Sequence, residues 1–423
     1  MRPGSPPLPL ALYGAGSGLL EPLAPRLLAA RAREGKEDPA RLAERLGRAS
    51  LPRPPGPLVW LHGVSVGESL SLLPLAQALR RARPDLALLA TSGTRTSAEL
   101  LGRRLAGLAL HQYAPIDAPG AVRRFLDHWR PDVGLFAESE LWPNLLLAAR
   151  RRGVRLGLVS GRITEASAMG WRRIPGSARA LLQAFDLVLP QDEASAGRLA
   201  RLGAKVGPKL NLKRAGDPPP ADPAELARLR QALDGRRVVL AASTHPGEEA
   251  VIVRAWRSAA PDLLILVPRH PERGEAIAAE VSGPGYATAR RSLGQPPPAG
   301  PGVYVADTLG ELGLFLRLAP LTVMGGGFAP GVGGHNPLEA AGIGCAVLTG
   351  PRVSNAREIY DEMIAADAAV QVADQAALGA ELRSLAADPG RAAALGRAAR
   401  GYADLQGAEL ERALPLILGL APA

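Results

Sequence analysis

Six short stretches of the chain concentrate the residue types that can do polar chemistry. The first is HGVSVGE at 62–68, directly after the apolar run LVWL. Glycines there let a substrate approach the backbone, and the helix that follows offers free N–H groups. Glu68 reads two ways. It is a helix cap or dipole partner worth about 0.3–1 kcal/mol, or a general base on a glycine-rich strand end. The second stretch, ESELWPN at 138–144, sets the carboxylates of Glu138 and Glu140 one residue apart after DVGLFA. Such a pair can couple to a further carboxylate and raise its pKa, or serve only as acids at a helix start. The third, KVGPKLNLKR at 205–214, holds three of the chain's four lysines, Lys205, Lys209 and Lys213. In a chain that otherwise writes Arg, these are compact, movable charges suited to one phosphate or carboxylate oxygen; the alternative is a solvated charge run.

The fourth stretch, STHPGEE at 243–249, is a strand-end loop rich in capping residues. The fifth, PRHPER at 268–273, places Arg269 to fork onto a phosphate, with His270 read as a local hydrogen-bonding residue. The sixth, GGGFAPGVGGHNPLE at 325–339, puts many glycines before a helix expected after Pro337, which makes an anion cradle. Glu339 in that first turn is positioned for two hydrogen bonds from ribose hydroxyls. The stretch is neither a Walker loop, which needs GK[ST], nor a GxGxxG turn. No cluster of ligands has metal-binding spacing, so neither a bound metal nor a cofactor is expected.

These loops need strands to carry them, and the chain supplies them. Strand, loop, amphipathic helix and strand alternate from LVWL through DLVLPQ at 186–191, which predicts a parallel sheet with helices on both faces. AGDPPPADP at 215–223 is the best boundary, and the pattern restarts after it with RRVVLAAST, DLLILVPRH, VYVAD, LTVMGGG and CAVLTG. The Pro/Gly-rich stretch 283–302 reads as a loop, and the last forty or so residues read as Ala/Arg-rich helix. With 423 residues, two domains are expected. The fold class is α/β: two Rossmann-like, doubly wound domains facing a cleft, with ligands at strand carboxyl ends. The divisions are 1–50, an amphipathic helical segment; 51–215; and 216–423.

Composition narrows the function classes. At 47% hydrophobic and 21% charged residues, the chain is neither mainly disordered nor a polytopic membrane protein. The single cysteine, Cys345, excludes an internal disulfide framework and fits a reducing compartment. A net charge of +10 suggests an anionic partner. Aromatics at 4% are too sparse for base stacking, and nucleic acid is not expected. Residues 8–30 are too broken by Gly, Pro and Glu21 to span a bilayer, which takes roughly 20 apolar residues. From Leu19 to Leu46 the Arg-rich amphipathic pattern fits either a membrane-interface helix or one packed on the domain behind it.

The loops, in this order, resemble the 3-deoxy-D-manno-octulosonic acid (Kdo) transferases of lipopolysaccharide synthesis. HGVSVGE, ESELWPN, NLK at 211–213, ASTHPGEE at 242–249, PRHPER, DTLGELG at 307–313 and GGHNPLE at 333–339 carry the resemblance from about residue 12 to about 400. It implies a B-type glycosyltransferase that moves Kdo from CMP-Kdo to a phosphorylated lipid A precursor, lipid IVA, with inversion and without a metal. It also implies an anionic membrane surface as partner, on the cytoplasmic face of the bacterial inner membrane, peripheral or shallowly anchored. By the same resemblance 51–215 is the acceptor domain and 216–423 the CMP-sugar domain. Glu68 falls on the family's general base, and Glu138 and Lys213 on residues that assist it. Pro268, Arg269, Leu309, Gly310, Glu311, Asn336, Pro337, Leu338 and Glu339 fall on positions that hold CMP. Ser65, Gly67, Glu140, Ser243, Thr244, Gly326, Gly334 and His335 are further candidates for donor or acceptor contacts. The run GPKL at 207–210 departs from the family pattern and leaves Lys209 and Lys213 as rivals, Lys213 preferred. SGRITEASAMGWRR at 160–173 departs too. The competing readings are a B-type enzyme with another nucleotide sugar, and a non-catalytic basic protein that depends on the Arg clusters at 150–152 and 172–173.

Overall fold

The computed structural model describes residues 6–422 apart from 217, 260, 261 and 284. The chain packs as two compact units. One runs through Ala215 and resumes at Gly407, and the other is Gly216–Gln406. Among the described residues the first unit holds β1 (Leu58–His62), β2 (Ala87–Ser92), β3 (Leu110–Tyr113), β4 (Val133–Ala137), β5 (Arg155–Gly161) and β6 (Leu187–Pro190). They form one parallel sheet in the order β3-β2-β1-β4-β5-β6. Successive strand residues point to opposite faces, and the burial shows it. Leu58 and Trp60 enter a core with Phe125, Trp129 and Leu181, while Val59 and Leu61 enter one with Leu75, Leu79 and Leu101. Helices therefore cover both faces.

The second unit repeats the design. It holds β7 (Val238–Thr244), β8 (Leu263–Pro268), β9 (Ala287–Arg290), β10 (Gly302–Val305), β11 (Leu321–Met324), β12 (Ala346–Thr349) and β13 (Ala369–Gln371). The order is β13-β12-β11-β7-β8-β10-β9, again all parallel. Leu263 and Ile265 face a core with Leu229, Phe315 and Tyr360, and Leu264 and Leu266 face one with Ile252, Trp256 and Leu382.

Three details differ from the sequence reading. The stretch 283–302 is not all loop: Ala287–Arg290 pairs with β10 as an edge strand. The edge strands β3 and β13 were not expected, because LHQY and AVQ are too short and mixed to show alternation. The tail from Gly407 belongs with the first unit rather than the second. Leu410, Ala413 and Ile417, at helical spacing in the helix Pro389–Leu418, pack with Val59, Leu61 and Leu135.

The segment before residue 50 is also part of the first unit. It forms the helices Leu8–Leu20 and Ala24–Arg33 and a short one at Leu42–Arg45. Glu21 docks it by accepting from Gly120 N (2.7 Å) and Arg124 Nη2 (2.8 Å) at the start of the helix Pro119–Trp129. A carboxylate at that helix start also meets the favourable end of the dipole. One face of the segment is thus packed, with Leu10 and Leu28 buried, while Leu8, Leu12, Leu19, Leu20 and Leu27 are each at least 62% exposed. Among the described residues no helix is long and apolar enough to cross a membrane.

Candidate active site

In an open parallel sheet, ligands sit beyond the strand carboxyl ends where the strand order reverses. In the first unit that point lies between β1 and β4, which are neighbours with His62 opposite Phe136. β1 delivers Glu68 there, and β4 delivers Glu138. Glu68 is the third residue of the helix Val66–Ala82 and closes a capping box with Ser65. Its Oε2 accepts from Val64 N (2.7 Å) and Ser65 N (3.2 Å), and its own N–H donates to Ser65 Oγ (3.2 Å). The cap reading is therefore realised, but neither of the two bonds to the carboxylate uses Oε1. The fold holds this carboxylate at the head of a rigid helix.

Glu138 is buried and has φ +53°, a left-handed conformation that costs a non-glycine residue about 1–3 kcal/mol. Lys213 Nζ lies 2.5 Å from its Oε1. Lys209 turns elsewhere, 3.4 Å from Glu409, and Lys205 is exposed. Only Lys213 of the three is thus brought to a site carboxylate. Glu140 accepts from Trp142 Nε1. Burial, with the neighbouring charges of Glu68 and Glu138, pushes its carboxyl up to about 7. His62 is fully buried, its ring 5.0 Å from that of Phe136 and 5.7 Å from that of Trp60. Burial, then Arg45, lowers it to about 3, so the imidazole is neutral. His62 Nε2 lies 3.8 Å from Glu140 Oε2. The carboxyl that is raised is thus Glu140 itself, a member of the pair, rather than a further carboxylate.

In the second unit the order reverses between β7 and β11. β7 ends in Ser243, at φ +60°, and the buried Thr244. β11 ends in the glycine loop. A Cβ on Gly325 would stand 2.4 Å from Ser243 O, and Gly326 has φ +76°, so only glycine lets the two strand ends approach this closely. Glu248 holds the loop from inside. Its carboxylate accepts from His245 N (2.7 Å), Gly326 N (2.7 and 3.0 Å) and Phe328 N (3.3 Å). Burial raises its pKa against the pull of those donors. Glu249 binds Thr244 Oγ1 (3.1 Å) and Arg273 Nη1 (2.7 Å). These two acids do more than cap the helix Glu248–Ala259, which was the sequence expectation.

His335, at the far end of the glycine loop, stacks on His245 with Nε2 atoms 2.7 Å apart. Burial, then the charges of His245 and Arg269, lowers His335 to about 4. Arg269 is exposed at the end of β8, after the buried Pro268, with its N–H on Thr244 O (2.9 Å). Gly334 has φ +78°, and Asn336 Oδ1 accepts from Leu338 N (3.0 Å). The helix expected after Pro337 is only Leu338–Ala341, with Glu339 exposed. Within the glycine loop, Gly334 N and His335 N donate to Gly326 O (3.0 Å) and Gly325 O (3.2 Å), so its two ends are tied together.

On the other side of β7, Leu309 is 84% exposed and Gly310 has φ +84°. Glu311 is held below the usual carboxylate range by Arg291, which grips both its oxygens (3.1 and 2.6 Å), and by Thr308. Among the described residues no group of three or more His, Cys, Asp or Glu side chains is arranged to hold a metal ion. Sequence reasoning gave no role to His62 or His245. The signal was present, since each histidine lies at a strand carboxyl end directly before a candidate loop.

The comparisons with known proteins bear on the family and the fold. A family model described as "3-Deoxy-D-manno-octulosonic-acid transferase (kdotransferase)" matches residues 40–215. A 3-deoxy-D-manno-octulosonic acid transferase of Bordetella pertussis is 38% identical over 85% of this chain and 86% of its own. A probable mitochondrial 3-deoxy-D-manno-octulosonic acid transferase of Arabidopsis thaliana is 36% identical over 76% of this chain and 75% of its own. Among solved structures, a glycosyltransferase of Rickettsia africae matches 86% of this chain and 98% of its own with TM-score 0.54 at 12% identity, a likeness of fold. Two parallel α/β units of the B-type glycosyltransferase kind complete the assignment: this chain belongs to the 3-deoxy-D-manno-octulosonic acid transferase family and is a glycosyltransferase.

Proposed function

We propose that the enzyme moves Kdo from CMP-Kdo to a hydroxyl of a phosphorylated lipid A precursor, with inversion at the anomeric carbon and Glu68 as general base. The observation that carries the reading is a carboxylate fixed at the switch point of the first sheet, with the Glu138–Lys213 ion pair at the end of the neighbouring strand β4. As the acceptor oxygen bonds to the anomeric carbon, its proton passes to Glu68. The bond from that carbon to the phosphate oxygen breaks, and its electron pair leaves with CMP. A positioned base contributes about 10²–10⁴-fold to such a step. The donor brings two anions, a phosphodiester and a carboxylate. In the second unit Arg269 and the loop 325–336 are the groups suited to such anions, and in the first Lys213 is the cation beside Glu138. Pro268, Leu309, Gly310, Glu311 and Asn336–Glu339 complete the CMP site in this reading.

The test supplies CMP-Kdo and a tetraacylated lipid A precursor in detergent, with chelator and no added metal. The product is expected to gain the mass of one or more Kdo units. No gain with demonstrably folded protein overturns the reading.

The acceptor's lipid nature fits the amino-terminal helices, which we propose lie on the anionic cytoplasmic face of the inner membrane. Leu19 is 82% exposed and so contributes almost nothing to the core. Leu8, Leu12 and Leu27 share that exposure, with Arg26 and Arg33 exposed beside them. Leucines entering the acyl boundary contribute about 1 kcal/mol or more each. The triple variant Leu12→Ser, Leu19→Ser, Leu27→Ser is therefore expected to bind anionic vesicles about a hundredfold or more weakly, by co-sedimentation. Wild-type binding should weaken with salt, and equal binding by the triple variant refutes this placement.

A further inference from the structure

Three of the chain's six histidines, His245, His270 and His335, gather at the strand ends of the second unit. His270 is exposed, its ring 6.0 Å from that of His245. His245 and His335 are half-buried, and their Nε2 atoms meet at 2.7 Å with ring planes within 15° of parallel. Both backbones are anchored. His245 N donates to Glu248 (2.7 Å), His335 N donates to Gly325 O (3.2 Å), and Tyr360 Oη donates to His335 O (3.0 Å). The contact is therefore fixed by the strand ends of β7 and β11 and not by loose side chains.

A contact of that length between two ring nitrogens holds one proton. One ring donates and the other accepts, and whichever ring donates is left with a bare Nδ1. That nitrogen can take one further proton without breaking the bond, whereas a second would have to displace the shared one. With a single added proton the pair carries one positive charge and an N–H at each Nδ1. Neither Nδ1 has a hydrogen-bond partner among the described residues. The titratable and charged groups around the pair are His270, Arg269, Arg273 and Glu249. Glu249 is bound to Arg273 (2.7 Å), so those two offset each other. The guanidinium of Arg269 has no ion-pair partner among the described residues. Burial, and then the cations, hold both imidazoles below the usual histidine range, so they are neutral at pH 7. An unpaired arginine beside a neutral pair with room for one proton suits an anion that brings a proton with it.

We propose that His245 and His335 work as one unit that takes up a single proton when the donor's phosphate binds beside Arg269, and gives it to the phosphate oxygen as that oxygen leaves the sugar. The inference rests on CMP-Kdo being the donor. The leaving group has need of a proton. The bound diester carries one negative charge, and the monoester that departs gains a second, whose pKa is about 6. As the bond from the anomeric carbon to that oxygen breaks, its electron pair stays on the oxygen and the extra proton of the pair moves onto it. The histidines return to their neutral hydrogen-bonded state and take the next proton from water. Glu68 gives the acceptor's proton back to water, so the cycle balances.

The test titrates wild type, His335→Gln and His245→Gln with CMP and with cytidine between pH 6 and pH 8. Glutamine reaches as far as Nε2 and keeps a neutral hydrogen bond, but it cannot hold the extra proton. At pH 6 each variant is expected to bind CMP about 10- to 100-fold more weakly than wild type. That gap should close toward pH 8, because only wild type takes up a proton with the ligand and loses affinity as protons become scarce. Cytidine, which has no phosphate, should bind all three proteins alike. A gap that stays constant with pH shows a merely structural role and overturns the proposal. So does an equal loss of cytidine binding, or CMP binding of equal strength in all three. Wild type that binds no CMP at all would instead sink the donor reading, and the inference with it.

Discussion

Glu68→Gln is expected to lower kcat by about 10²–10⁴-fold while leaving the fold intact. The choice of glutamine matters because the carboxylate has two jobs in the structure. Its Oε2 caps the helix Val66–Ala82 through Val64 and Ser65, and Gln serves a capping box as well as Glu does. The amide oxygen keeps those bonds, so melting should shift little. What the amide loses is the ability to accept a proton. Alanine would confuse the two roles, since losing the cap alone costs about 0.5–2 kcal/mol. If Glu68 were only a cap, the glutamine variant would turn over at the wild-type rate, and a product-mass assay with both substrates saturating would show it. The loss should fall on kcat rather than KM, because proton abstraction belongs to the transition state.

The same experiment separates the enzyme from a basic scaffold that works through its arginines. Arg150 is bound to Asp186 at 2.8 Å and Arg152 to Asp127 at 2.8 Å, so that cluster is largely spent on local ion pairs. Exposed pairs of this kind contribute little to stability, and neutralising them removes no group from either strand-end site.

The parallel α/β design was legible because buried parallel strands read as continuous apolar runs bounded by glycine and polar loops. LVWLH, VGLFA and LLILVP announce β1, β4 and β8 in that way. β3 hid because an edge strand with half-exposed Leu110 and His111 needs no apolar run. The return of the tail to the first unit hid for a different reason. Leu410, Ala413 and Ile417 mark an apolar helix face, but nothing local says which core receives it. The site shows the same limit. Glu68, Glu138 and the glycine loop stood out as motifs, whereas the approach of His62 to Glu140 depends on β1 pairing with β4 in the register that sets His62 opposite Phe136, a tertiary fact. Sequence spacing also left Lys209 and Lys213 as rivals, because the turn after Asn211 decides which one meets Glu138.

That rivalry yields the second large effect. Lys213→Met is expected to lower kcat by about 10²–10³-fold, the loss typical of removing one preorganised stabiliser of developing charge. Lys209→Met should stay within a few-fold of wild type, since its partner Glu409 also accepts from Asn211 N at 3.0 Å and keeps that bond. The Lys213 change has a second consequence, with a definite sign. Glu138 already pushes Glu140 upward by its charge, and Lys213 at 2.5 Å offsets that charge. With the ammonium gone, Glu138 acts on Glu140 unopposed, so Glu140 gives up its proton at higher pH. The Glu140 carboxyl, followed by NMR titration, should therefore move above its wild-type position near 7. Lys213→Arg keeps the cation and should restore that position even where it restores only part of the rate. A Lys213→Met enzyme with the wild-type titration would show that Glu138 and Glu140 do not share one field. The carboxylates and the lysine would then have to be treated as separate groups rather than as one electrostatic site.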